Sequence, residues 1–260
     1  MDCRLRIADS EIRNPKSEIR LMAVVEYDGT DYLGFQIQAR GRTIQGEIER
    51  ALTGVTQEAI RIIAAGRTDA GVHALGQVIT FSTAWRHSIE ELQRALNAVL
   101  PQDIAVRELR PVTESFHPRF DAVSREYRYT ILNQPLRSPL ARRFAYHFPQ
   151  PLDVAVMNEA AGTLVGDHDF ASFGRAPQGD NTVREVYRAE CARQGPFVYF
   201  DIVANAFLYR MVRRLVSTLV LVGTGELSPR EFRDILQAAD GDRAGHLAPA
   251  HGLCLIRVNY

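Results

Sequence analysis

"AAGRTDAGVHALGQVITF", residues 64 to 81, joins two apolar, β-branched runs through a polar loop. The runs read as strands. Between them Arg67 and Asp69 stand two positions apart, flanked by Gly66 and Gly71. Taken alone, the loop is an ordinary turn: aspartate bonds backbone, glycine supplies a positive φ and arginine is solvated. His73 follows Asp69 by four residues, a separation found in metal sites. That spacing shares one face only on a helix, and the two glycines disfavour a helix.

Elements on either side extend the pattern. "LMAVVEY" (21–27) reads as a strand. Thr43 can cap a helix whose Ile44, Ile48 and Leu52 recur every fourth position. "IRIIAA" (60–65) and "GQVITF" (76–81) are the strands around the loop. Ser88 and Glu91 form a capping box for a helix that Pro101 ends, and "DIAVREL" (103–109) closes the unit. The order β-α-β-β-α-β is a ferredoxin-like split pattern, related to RNA-recognition modules. The second half repeats it at greater length. "SREYRYTIL" (124–132), "RFAYHF" (143–148), "TVREVYRAECAR" (182–193), "FVYFDIVAN" (197–205) and "GLCLIRVNY" (252–260) read as strands. Helices are expected from Asp153 to near Gly166, over "AFLYRMVRRLVSTLVLVG" (206–223) and over "SPREFRDILQAAD" (228–240).

The expected fold is therefore α+β: two ferredoxin-like subdomains with antiparallel sheets, over residues 21–112 and 113–260, with a cleft between them. Residues 1–20 contain SEIR twice and the chain's single lysine, Lys16. They read as a non-native or disordered extension. The longest apolar run, Leu215 to Gly223, is too short to cross a bilayer. The first residues have no apolar signal region. Cys3, Cys191 and Cys254 are scattered, without a CxxC pair. A cytoplasmic protein without a cysteine metal site is expected. Formal net charge is zero, so no global basic field marks a nucleic-acid partner. Thirty arginines against one lysine is a bias that a GC-rich genome also produces, so clustering carries more weight. Arg119, Arg125, Arg128, Arg137, Arg142 and Arg143 stand in a stretch with only Asp121 and Glu126 opposing them.

The full string "AGRTDAGVHALGQVITF" resembles the signature of the tRNA pseudouridine synthases of the TruA family. "EYDGTDYLGFQ" (26–36), "FHPRFDAVSREYRYTI" (116–131), "GDHDFASF" (166–173), "NAFLYRMVRRLV" (205–216) and "GLCLIRV" (252–258) resemble it in the same order. The likeness spans about residues 21 to 260 and departs at Phe35, where the family often has tryptophan.

The resemblance implies isomerisation of uridine to pseudouridine at positions 38, 39 and 40 of the tRNA anticodon stem-loop. It also implies a homodimer, with no cofactor, metal or membrane. Asp69 matches the nucleophile, attacking either C1′ of the sugar or C6 of the base. Such a carboxylate must stay ionised beneath a covering base; dehydration opposes that charge and a guanidinium restores it. Arg213 matches the basic partner. On a helix it falls at the edge of a stripe of Leu208, Met211, Val212, Leu215 and Leu219. Tyr127 matches the active-site tyrosine, which stacks on the base and helps remove the C5 proton. A phenol with its ordinary pKa of about 10 is a poor base unless cations lower it. Tyr129 points the same way along the strand and competes on physical grounds.

Arg67 matches the arginine that contacts RNA and holds the nucleotide out of its stack, and the adjacent glycines would let backbone approach the ribose-phosphate. Clustering adds Arg119, Arg125, Arg128, Arg142, Arg143 and Arg184 as candidate phosphate contacts. Two rivals stand beside this reading: a non-catalytic tRNA-binding or folding module on the same fold, and a metal hydrolase using Asp69 and His73.

Overall fold

A computed structural model describes residues 18–177, 179–241 and 244–260. The reading of residues 1–17 as an extension lies outside this range; Ile19 and Arg20, also assigned to it, belong to the first strand. In β1 (Ile19–Tyr27), Leu21, Ala23, Val25 and Tyr27 are buried at every second position, the period of a strand with one face on a core. The chain then forms α1 (Ile44–Thr56), β2 (Ile63–Ala64), β3 (His73–Thr83), α2 (Ile89–Val99) and β4 (Ile104–Pro111). Thr43 caps α1 by accepting from Gly46 N, and Ser88 with Glu91 completes a capping box on α2. Each such cap contributes about 1 kcal/mol. Ile44, Ile48 and Leu52 of α1 and Leu92 and Leu96 of α2 bury against β1 and β3 in one apolar cluster.

The second half comprises β5 (Ser124–Leu132), β6 (Tyr146–His147), α3 (Val154–Gly162), β7 (Gly166–Asp169), β8 (Val183–Gln194), β9 (Phe197–Ala204), α4 (Met211–Gly223), α5 (Pro229–Ala238) and β10 (Leu253–Asn259). A second cluster packs Met157, Phe173, Phe200, Leu215, Leu219 and Phe232. The expected strand over 143–148 shrinks to two residues, and β7 was not anticipated. The helix expected from 206 starts only at Met211, because Arg210 adopts φ 64°. That left-handed backbone interrupts any helix arriving from before it.

The strands do not form two separate antiparallel sheets. They make one ten-stranded sheet in the order β4-β1-β3-β10-β5-β9-β8-β7, with β2 also on β3 and β6 also on β5. Strand β10 joins the halves, running antiparallel to β5 and parallel to β3. Leu253 enters the second cluster, whereas Leu255 and Val258 enter the first. A register shift between Leu255 and Arg257 resets the alternation, which lets residues three apart face the same core. Tyr127 of β5 packs against both clusters, at the junction. No helix among the described residues is long and apolar enough to cross a membrane.

Candidate active site

The loop between β2 and β3 is built rather than slack. Val72 N donates to Asp69 O at 3.1 Å, closing a four-residue turn, and Gly71 holds φ +78° within it. That sign at the third turn position favours glycine. A second loop, 28–35, braces the first. Phe35 N donates to Thr68 O at 3.0 Å, and Tyr27 Oη shares a 2.8 Å hydrogen bond with Thr68 Oγ1. Gly34, at φ +95°, lies so close that a Cβ there would sit 2.8 Å from Thr68 O and 3.2 Å from the Asp69 carbonyl carbon. Gln77, fully buried in β3, donates to Gly66 O at 3.1 Å. Asp69 is thus presented on backbone held from three sides. A Cβ at Gly66 would meet nothing within 4 Å, so no protein neighbour requires glycine there.

Arg213, in the first turn of α4, meets this loop. Its Nη1 donates to Asp69 Oδ2 at 3.0 Å, while its Nε donates to Ala248 O at 2.7 Å. Two directions of the planar guanidinium are thereby fixed, a restraint an ammonium lacks. Their side chains are 13% and 23% exposed, so the pair is shielded without being sealed. One carboxylate edge therefore takes the cation, and the group remains reachable.

Tyr127 lies beside this pair, edge-on to Phe207 with ring centroids 5.0 Å apart. Burial pushes its phenol pKa up; the Arg125 charge pulls it back only in part, and Asp69 adds to the rise. The cationic pull is too small to offset burial, so the condition under which this phenol would serve as a ready base is not met and the resting hydroxyl is protonated. Tyr129 is fully buried and donates to Pro249 O at 2.8 Å, so its hydroxyl is committed to the fold. That separates the two tyrosines that alternation alone left level.

The arginines part company. Arg67 is exposed, two residues before Asp69. Arg125 does not project outward as a phosphate contact would. Its guanidinium donates to Ala122 O at 3.1 Å, Asn205 O at 2.7 Å, Arg119 O at 2.6 Å and Ala65 O at 3.5 Å. Arg128 faces away from Tyr127, because neighbouring strand residues alternate. It forms a two-pronged ion pair with Asp201, at 2.7 and 2.9 Å, over the Tyr199 ring. Arg119 and Arg142 are exposed. Arg143 bridges to Asp28 and Asp31 at 3.2 and 3.3 Å. Arg184 stands two strands across from Arg125, near the same sheet end through the Arg125–Ala204–Val186 register.

His73 belongs to the scaffold. Its Nδ1 accepts from Gly29 N at 3.1 Å and its Nε2 faces His251 O at 3.2 Å. Asp28 Oδ1 also lies 3.1 Å from Nδ1, a contact that attracts only an imidazolium. Burial outweighs that attraction and lowers the pKa, so the neutral ring is the resting form. With both nitrogens engaged away from Asp69, the Asp69–His73 metal pair has no geometric basis. The bracing by Gly34, Tyr27 and Gln77 was missed in the sequence. Gln77 left a signal there, an uncharged polar side chain amid the apolar residues of β3.

A sequence model of the family described as "tRNA pseudouridine synthase" matches residues 23–121 and 160–260. Proteins named tRNA pseudouridine synthase A are similar over nearly the whole chain. The one from Moorella thermoacetica is 48% identical over 92% of this chain and 99% of its own length. The one from Roseiflexus castenholzii is 49% identical over 91% of this chain and 88% of its own. That from Brevibacillus brevis is 48% identical over 93% and 99%. The Asp69 loop and Arg213 lie inside the matched residues, Tyr127 lies between the two matched stretches, and the chain belongs to the tRNA pseudouridine synthase family.

Proposed function

We propose that this protein isomerises uridine to pseudouridine in tRNA, at positions 38, 39 and 40 of the anticodon stem-loop, with Asp69 as nucleophile. The observation that carries the reading is the Arg213–Asp69 ion pair in a braced loop. In the reaction the N1–C1′ bond breaks, uracil turns, a C5–C1′ bond forms, N1 gains a proton and C5 loses one. No atom is added and nothing is oxidised, so the chemistry needs no redox cofactor. Asp69 traps C1′ of the sugar or adds to C6 of the base; both routes use the same ionised oxygen. Arg213, itself tied to Ala248 O, holds that carboxylate aimed. Tyr127 supplies a ring for the base to stack on, and its hydroxyl, protonated at rest, acts as a relay that takes the C5 proton as it gives up its own. Arg67 fills the space the everted nucleotide leaves.

The two halves on either side of β10 act as ferredoxin-like subdomains, divided between β4 and β5, with RNA entering where they meet. Two copies of the chain form the working unit, which sedimentation at micromolar concentration tests. The activity itself is tested with tRNA carrying C5-tritiated uridine: catalytic release of label is expected. Binding without release under many-turnover conditions would instead identify a non-catalytic tRNA-binding module.

A further inference from the structure

Phe120 is 74% exposed, and the backbone that carries it is held by its own hydrogen bonds. His117 N donates to Asp121 Oδ2 at 2.9 Å, and His117 Nδ1 accepts from Arg119 N and Phe120 N at 3.2 and 3.3 Å. Tyr260 Oη anchors Pro118 O at 2.8 Å. The His117 ring backs the Phe120 ring, with centroids 4.3 Å apart at 32°, and Arg119 Cζ lies 5.7 Å from the Phe120 centroid. The result is an exposed aromatic ring on an anchored backbone, with a loosely approaching cation over it.

Its place relative to the reaction follows from Arg125. That one guanidinium donates to Arg119 O, next to Phe120, and to Ala65 O, two residues before Arg67. Arg125 also shares a face of β5 with Tyr127. The exposed ring and the catalytic loop are thus tied to the same side chain. A preformed ring costs little ordering entropy on binding, and an aromatic face accepts any base.

We propose that Phe120, backed by His117, is a stacking platform for an unpaired nucleobase of the tRNA flanking the everted uridine, with Arg119 against the adjoining phosphate. This deepens the isomerase reading and rests on it. Arg125 is its positioning residue, setting the platform at a constant offset from Arg67.

The test is tritium release from C5-tritiated tRNA by wild type and by Phe120→Ala, Phe120→Leu and Phe120→Trp. The ring is exposed, so all four are expected to fold with matching unfolding midpoints. Loss of one base stack should raise KM about 10-fold or more in the alanine and leucine variants, with tryptophan near wild type; kcat should stay within about 2-fold, since the stack is not made only in the transition state. An unchanged KM in Phe120→Ala would overturn the platform, as would wild-type KM in Phe120→Leu, which would mean apolar contact without stacking. A change of oligomeric state on light scattering of Phe120→Ala without RNA would assign the face to a protein partner instead. Absence of release by wild type would overturn the isomerase reading itself, a result distinct from each of these.

Discussion

Arg213 touches Asp69 at 3.0 Å across 144 positions of sequence, and the same guanidinium holds Ala248 O at 2.7 Å. The contact couples the start of α4 to the tip of a loop from the other half of the chain. The second bond gives that coupling its direction. An arginine held only by its carboxylate could swing with it, whereas this one is referenced to backbone.

Replacing Arg213 by methionine removes the charge and both bonds; kcat is expected to fall about 100-fold or more, the scale of losing one preorganised electrostatic contact. Lysine restores the charge without the fork and should fall between methionine and wild type. Steady-state tritium release measures both, and a methionine variant with wild-type kcat would remove Arg213 from the reaction.

Tyr127 carries two assigned roles that substitution can separate. Phenylalanine keeps the ring against Phe207, so tRNA affinity should hold, while loss of the hydroxyl should lower kcat about 100-fold, the lower end for a proton-transfer group. Alanine should weaken binding as well. A phenylalanine variant with unchanged kcat would confine Tyr127 to stacking.

Gly34 tests whether the brace matters. Alanine there meets Thr68 O and needs φ +95°. A loss of about 1–3 kcal/mol is expected, visible in chemical denaturation, together with a lower kcat because the strain falls on the backbone beside Asp69. Full stability with full activity would show that loop 28–35 does not position the nucleophile.

His73 gives the fold an acid limit. Burial lowers its pKa below the ordinary 6.5, with Asp28 and two backbone contacts opposing; His251 is lowered by burial too, with His73 and Arg213 adding to the drop. Below about pH 6.5 the unfolded chain binds protons that the native ring resists. The stabilisation is therefore complete above that pH and declines as pH falls toward the native value. Unfolding midpoints from pH 8 to 5 should decline less steeply for His73→Gln than for wild type. Equal slopes would contradict a neutral buried His73.

Much of the local structure was legible because its chemistry is local. Thr43, the Ser88–Glu91 box and the proline opening α5 mark helix starts within four residues of themselves, and the helices begin there. The late start of α4 was not legible, since nothing in "NAFLYRM" announces a left-handed arginine. Nor was the role of β10, whose membership in both cores is settled by partners far away in sequence. Among the arginines, strand alternation could have turned Arg128 away from the site. The capture of Arg125 by four carbonyls could not be read, because two of them, Ala65 O and Asn205 O, come from segments 60 and 80 positions away. Asp69 and Arg213 were paired from resemblance alone; periodicity placed Arg213 only at a stripe's edge.

The central claim is that the Asp69 carboxylate attacks the substrate. Its most direct test is pseudouridine formation by Asp69→Ala and Asp69→Asn in an excess of enzyme over C5-tritiated tRNA, with tRNA binding followed in parallel. Near-wild-type binding with no pseudouridine and no released label, even after long incubation, is the expected result. Pseudouridine accumulating to stoichiometric yield in either variant would contradict it.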